Sequence, residues 1–160
     1  MLKLVESFED KDHVYIVTEY LSGGDLYSYL NRQKIRPLAE EHAKQVLRQV
    51  AKGLRVLHRR HIIHRDIKLH NILVSQDSST SAPTFILADF GSACQLKSAA
   101  DTSSFDIGTK GFYAPEMLLN RPYNCALDVF QLGIVLFALL ANKLPFNIKD
   151  TQKYEESVIQ

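Results

Sequence analysis

Residues 64–71 read HRDIKLHN, and the fold is inferred outward from this stretch of the 160-residue chain. It carries an acid, a base and a carboxamide within six positions, namely Asp66, Lys68 and Asn71. Farther along come the triplets DFG at 89–91 and APE at 114–116. Any one of these short motifs alone is weak evidence. Three of them in this order, followed by Asp128 in an apolar segment, form a specific constellation.

The constellation resembles the signature set of eukaryotic-type serine/threonine protein kinases, and the resemblance covers essentially the whole chain. It implies an α+β, protein-kinase-like fold, mostly the helical C-terminal lobe together with the last strands of the N-terminal lobe and the hinge. Residues 1–18 would end the small lobe, 19–25 would form the hinge and 26–160 the large lobe. Within the family, the chain looks most similar to the calcium/calmodulin-dependent group.

The resemblance also implies catalytic roles for five side chains. Asp66 is expected to orient the substrate hydroxyl and accept its proton, and Lys68 to neutralise charge on the moving γ-phosphoryl group. Thr109 is expected to hydrogen-bond back toward both of them, as in the serine/threonine pattern. Mg²⁺ prefers hard oxygen ligands, so Asn71 and Asp89 are the expected metal ligands.

A nucleotide pocket is implied by the similarity of residues 14–21, VYIVTEYL, to the strand and hinge of the family. Thr18 would stand beside the purine as the gatekeeper. Backbone groups of Glu19 and Leu21 would hydrogen-bond the base, and Asp25 could reach the ribose. Leu73 would pack on the purine ring from below. The resemblance thus implies ATP and Mg²⁺ as the cofactors.

Regulation by phosphorylation is predicted from Arg65, which directly precedes the proposed proton acceptor. An arginine at this position can pair with a phosphate group on the following loop. Thr102, Ser103 and Ser104 are the candidate acceptors, with the two serines as the narrower choice. An upstream activating kinase is therefore an expected partner.

The resemblance implies ATP-dependent phosphorylation of Ser or Thr residues on protein substrates. One alternative is a truncated or inactive kinase-like module that binds partners or nucleotide without catalysis. The sequence favours that alternative in lacking a G-x-G-x-x-G motif, a strand lysine and a helix glutamate, and it offers Glu116 no arginine partner after Arg121. We therefore expect a partial kinase domain that folds weakly and transfers phosphate slowly. A small-molecule phosphotransferase is a third reading, disfavoured by the long segment that ends in APE.

Composition narrows the class of protein further. Lys and Arg total 19 against 18 for Asp and Glu, and this near-balance predicts no nucleic-acid partner. The longest apolar run, residues 132–141, is half of the roughly 20 residues that a bilayer span needs, so we expect no membrane span. Two distant cysteines fit neither a disulfide scaffold nor a zinc site. A reducing compartment is expected, the cytoplasm or the nucleus.

Hydrophobic periodicity predicts the remaining elements. Apolar positions at 43, 46, 47, 50, 54 and 57 form one face of a helix over about 39–60. Asp25 is expected to cap a short helix that runs through Asn31. The other predictions are strands at 2–8, 13–20, 71–75 and 84–88, an irregular segment at 91–113, a buried helix at 128–141 and a mostly polar tail.

Overall fold

The computed structural model describes residues 2–76, 82–104 and 107–159. Its strands are β1 (Leu4–Glu9), β2 (Val14–Thr18), β3 (Ile62–Ile63), β4 (Ile72–Ser75), β5 (Thr84–Leu87) and β6 (Cys94–Gln95). Its helices are α1 (Leu26–Gln33), α2 (Glu40–His58), α3 (Pro115–Leu118), α4 (Ala126–Ala141) and α5 (Thr151–Ile159). A 3₁₀ turn, Leu69–Asn71, precedes β4. The α+β class is therefore as predicted.

The predicted long helix is present as α2, one residue shorter at its start and two at its end. Its apolar face is buried at Ala43, Val46, Val50, Leu54 and Leu57. Acidic residues lie in its first turn and basic residues in its last, an arrangement that the helix dipole stabilises. This face packs with α1, α4 and the β4–β5 hairpin in the main hydrophobic core.

The strand pairs form three antiparallel two-stranded sheets. The predicted pairs β1–β2 and β4–β5 are both present, and β4 and β5 pair in register from Ile72 opposite Leu87 to Ser75 opposite Thr84. The first pair is open to solvent, with Val14 at 70% exposure. The third pair, β3 with β6, lies in the region predicted to be irregular, because two-residue strands are too short to show a period.

Helix α1 begins as predicted at Asp25, whose carboxylate accepts a hydrogen bond from the Ser28 N–H at 2.9 Å. It runs two residues past Asn31 and ends where Lys34 adopts a left-handed conformation, φ 53°. The chain before it pairs with β4, since the Gly23 N–H donates to the Val74 carbonyl at 3.1 Å. The predicted hinge is thereby fixed to the strand that follows the catalytic loop.

Two expectations for the C-terminal part are wrong. The segment predicted as a mostly polar tail forms α5, which buries Tyr154 and Val158. The helix predicted over 128–141 begins two residues earlier, and its apolar run is only partly covered, with Phe137 and Leu140 both 39% exposed. Among the described residues, no helix combines the length and apolar character that a membrane crossing requires.

Candidate active site

The loop that carries the HRD motif is held by a buried carboxylate of α4. Asp128 is fully buried, and its two oxygens accept hydrogen bonds from the N–H groups of His64 and Arg65, each at 2.9 Å. The Nε2 atom of His58 lies 2.8 Å from the same side chain. Arg65 adopts a left-handed backbone conformation, φ 69°. These bonds satisfy that turn and aim the next residue, Asp66, away from α4.

Four predicted catalytic side chains meet at Asp66. The Lys68 ammonium donates to Asp66 Oδ2 at 2.7 Å, and the Asn71 amide donates to the same oxygen at 2.9 Å. The Thr109 hydroxyl donates to Oδ1 at 2.6 Å, while Lys68 Nζ also lies 2.7 Å from Thr109 Oγ1. The contacts predicted for Thr109 with the aspartate and the lysine are therefore present.

The Asp66 carboxyl group is kept ionised by its surroundings. Burial raises its pKa, but the hydrogen bonds from Lys68, Thr109 and Asn71, together with the charge of Lys68, outweigh burial and lower the pKa overall. Charge-assisted hydrogen bonds of this kind are shorter and stronger than neutral ones. The site thus holds a desolvated carboxylate with hydrogen-bond donors on both of its oxygens.

Thr109 reaches the site because Gly108 lets two loops approach closely. Gly108 has φ 128°, a conformation that favours glycine. A Cβ atom there would lie 2.9 Å from the carbonyl oxygen of Arg65, which is closer than van der Waals contact allows. The glycine therefore permits the segment after residue 107 to pack against the catalytic loop.

The two predicted metal ligands lie at the same end of the β4–β5 hairpin. The Asn71 carbonyl accepts from the Ala88 N–H at 2.9 Å, and Asp89 follows directly with φ 60°. Asp89 is exposed, and one of its oxygens accepts from the Gly91 N–H at 3.2 Å. A carboxylate and a carboxamide here fit the oxygen ligation and retained waters of Mg²⁺. No group of three or more His, Cys, Asp or Glu side chains in the described ranges could hold a metal by itself.

The residues predicted to bind adenosine lie around the hinge. Thr18 ends β2 with its side chain exposed, and Leu73 on β4 pairs with Asp25 through an isolated bridge. The Glu19 N–H donates to the Lys3 carbonyl, and the Leu21 carbonyl accepts from Gly24. The opposite backbone groups, the Glu19 carbonyl and the Leu21 N–H, pair with no described residue and can face a base.

Asp25 has a structural role that any ribose contact must share. Its carboxylate caps α1. Burial raises its pKa, but the hydrogen bonds from Ser28 and the nearby His70 lower it overall. The residue therefore stays ionised at the edge of the hinge.

The predicted regulatory arginine and one predicted acceptor contact the same hydroxyl group. Buried Arg65 donates from Nη1 to the Tyr123 hydroxyl at 3.3 Å and from Nε to the Ser92 carbonyl. Ser103 is also buried, with Oγ 3.4 Å from that tyrosine hydroxyl. Thr102 and Ser104 on either side are exposed. The three candidates therefore differ in accessibility.

Sequence reasoning missed Gln131 as part of the site. It is fully buried, and its carbonyl oxygen accepts from the Ile67 N–H at 2.9 Å. Its amide donates to the carbonyls of Arg65 at 3.0 Å and Phe112 at 3.2 Å. Gln131 thus holds the peptide groups on both sides of Asp66. The signal that could have found it is its spacing of three from Asp128, which puts two polar side chains on one face of an apolar helix.

Comparison with known proteins gives relatives over nearly the entire chain. It is 34% identical over its full length to the serine/threonine-protein kinase PLK4 of Drosophila virilis, covering 20% of that protein. It is 38% identical to serine/threonine-protein kinase ATG1a of Arabidopsis thaliana, over 92% of this chain and 23% of that one. Human serine/threonine-protein kinase H2 is 35% identical, with all of this chain and 41% of that protein covered.

The chain spans about a fifth of the length of the PLK4 relatives that it matches. The relatives' names indicate serine/threonine kinases and do not support the calcium/calmodulin-dependent group that the sequence suggested. Family comparison matches residues 1–160 to the protein kinase domain. With the site geometry and these relatives, that match shows that the chain belongs to the protein kinase family.

Proposed function

We propose that this chain transfers the γ-phosphoryl group of ATP to Ser or Thr hydroxyls of protein substrates. The observation that carries the proposal is the Asp66 carboxylate, held at 2.6–2.9 Å by Lys68, Thr109 and Asn71. The serine/threonine kinases among the relatives agree with this activity. Because phosphoryl transfer depends on positioning and charge neutralisation, a rigid set of charged groups is the chemistry it requires.

In this mechanism Asp66 accepts a hydrogen bond from the substrate hydroxyl and takes its proton as transfer proceeds. Its lowered pKa keeps the carboxylate ionised at neutral pH, so it is ready to accept. Lys68 places a positive charge 2.7 Å from that carboxylate, beside the position of the transferring group. Thr109 orients both side chains by bonding to each of them.

Asn71 and Asp89 are the proposed holders of Mg²⁺, which when bound neutralises negative charge on the phosphates. Glu19 and Leu21 present backbone groups to the adenine, with Thr18 and Leu73 on its two sides. Asp25 is proposed to contact the ribose while it caps α1. These residues bind and orient the nucleotide, whereas Asp66 handles the proton.

The test compares Mg²⁺-dependent phosphorylation of a Ser/Thr-containing protein by the wild type, Asp66→Asn and Asp12→Asn. Asp12 is an exposed turn residue and serves as the matched control. We expect kcat to fall by about 10²-fold or more in Asp66→Asn, because a positioned general base contributes at least that much. ATP binding, measured by calorimetry, should be unchanged.

Equal rates for Asp66→Asn and the control would refute the assignment of Asp66. Binding of ATP by the wild type with no transfer at all would favour the alternative, a kinase-like module that binds nucleotide or partners without catalysis. Asp89→Asn separates metal from proton chemistry, since it should weaken the Mg²⁺ dependence of ATP binding while Asp66→Asn should not.

An upstream kinase is proposed to phosphorylate the 102–104 segment, with the added phosphate pairing with Arg65. In support, Arg65 forms no ion pair with any described residue and lies one hydroxyl away from Ser103. Changing Thr102, Ser103 and Ser104 together to Ala should abolish activation by a cell extract. Unchanged activation, measured as phosphate incorporated into substrate, would refute this regulation.

A further inference from the structure

A cavity of about 470 Å³ lies beside the catalytic loop and carries a cationic lining. Arg36, Lys143 and His70 contribute to its wall, whereas its described lining residues include no Asp or Glu. A concave site with one sign of charge and low-dielectric walls concentrates ligands of the opposite charge. The charge pattern therefore favours an anion.

The guanidinium of Arg36 is the strongest indication of a ligand. Its Nε and Nη2 atoms are buried and have no hydrogen-bond partner among the described residues. Its Nη1 atom has a long contact of 3.4 Å with Asn142, and the group lies 4.5 Å from the centre of the Tyr27 ring. Buried donors of a charged group left unpaired are costly. The planar fork of arginine matches a carboxylate or phosphate in a bidentate way.

The cavity borders the catalytic residues on two sides. His70, stacked on Tyr27 at 4.6 Å, directly precedes Asn71, which bonds to Asp66. On the other side Phe112 lines the cavity, and its N–H donates to the Thr109 carbonyl at 3.0 Å. A peptide whose hydroxyl reaches Asp66 can therefore place a neighbouring side chain in this cavity.

We propose that the cavity selects protein substrates that carry an acidic side chain close to the Ser or Thr acceptor. This rests on the proposed function for its assumption that a protein is the substrate. Arg36 binds the carboxylate through its two unpaired nitrogens, and Lys143 adds charge at the rim. The Tyr27 ring holds the guanidinium in place by a cation–π contact.

The test measures binding by fluorescence anisotropy of two labelled Ser-containing peptides, one with Glu on both sides of the serine and one with Gln. The wild-type chain should bind the Glu peptide about 10-fold or more tightly, given the strength of hydrogen bonds to charged groups. Arg36→Met should remove this preference. Arg48→Met, on the exposed side of α2 and outside the cavity, should retain it.

Lys143→Met provides a second variant because Lys143 is exposed and its loss should not disturb folding. It should reduce the preference for the Glu peptide partly. Equal binding of both peptides by the wild type, or a preference that survives in Arg36→Met, would overturn the proposal. Binding of inorganic phosphate that depends on Arg36, without discrimination between the peptides, would overturn it in favour of a small-anion site.

Phosphoryl transfer to the same peptides separates this proposal from the proposed function. Transfer to both peptides at equal efficiency would overturn the cavity's role in selection and leave the kinase activity standing. Preferential binding of the Glu peptide with no transfer to either would support the cavity and count against catalysis.

Discussion

Replacing Gln131 with Met tests whether α4 fixes the catalytic loop through backbone hydrogen bonds. Methionine has a similar length and keeps the buried volume, but it removes three bonds, to the Ile67 N–H and to the carbonyls of Arg65 and Phe112. An unsatisfied buried polar group costs ~1–3 kcal/mol. At the low end of that range, the three groups together predict a loss of about 3 kcal/mol in the free energy of unfolding.

The assay is urea unfolding followed by circular dichroism, with Gln45→Met as the control. Gln45 lies on the exposed side of α2, where a substitution should change the free energy of unfolding by about 0.5 kcal/mol or less. A loss also falls on kcat, because the peptide groups flanking Asp66 are no longer held. KM for ATP should change less than kcat, since Gln131 contacts no hinge residue. If the two variants unfold at the same urea concentration, the clamp contributes nothing and the reasoning is refuted.

Two further predictions concern the same loop. Because the pKa of Asp66 is lowered in the folded chain, its ionised form stabilises the fold above the ordinary aspartate pKa, and this stabilisation is lost as the pH falls toward the lowered value. Urea unfolding between about pH 7 and pH 3 should therefore show a steeper loss for the wild type than for Asp66→Asn, and parallel curves would contradict this. Gly108→Ala should lower the melting temperature, since the new Cβ would meet the Arg65 carbonyl at 2.9 Å. Gly133→Ala in α4, where a Cβ meets nothing within 4 Å, should stabilise the chain by about 0.5–1 kcal/mol instead, and equal effects of the two substitutions would rule out the close approach.

The sequence predicted elements best where burial imposes a period. Helix α2 was located to within two residues because five of its apolar positions face one core. Helix α5 was missed because its buried Tyr154 and Val158 are only two apolar positions in a polar segment. A single i, i+4 pair does not distinguish a helix from a tail until the partner surface is known.

The catalytic cluster was predictable for a different reason. Family resemblance assigned Asp66, Lys68 and Thr109 by type and order, and the structure brings them within hydrogen-bond distance. The cationic cavity had no such signal. Arg36 and Lys143 are far apart in the sequence, and only the packing of α1 beside the end of α4 puts them on one wall.

Helix α4 explains how an almost entirely apolar helix can determine the geometry of a polar site. Asp128 and Gln131 are three residues apart, and both are fully buried in the face that meets the catalytic loop. Burying a carboxylate and an amide is unfavourable unless every polar atom finds a partner. The partners here are backbone groups of residues 64, 65, 67 and 112, so the register of α4 and the shape of the loop are stable only together. Asp66 is the one residue of 64–67 whose peptide N–H neither side chain binds, and its carboxylate is the group left pointing toward the substrate side.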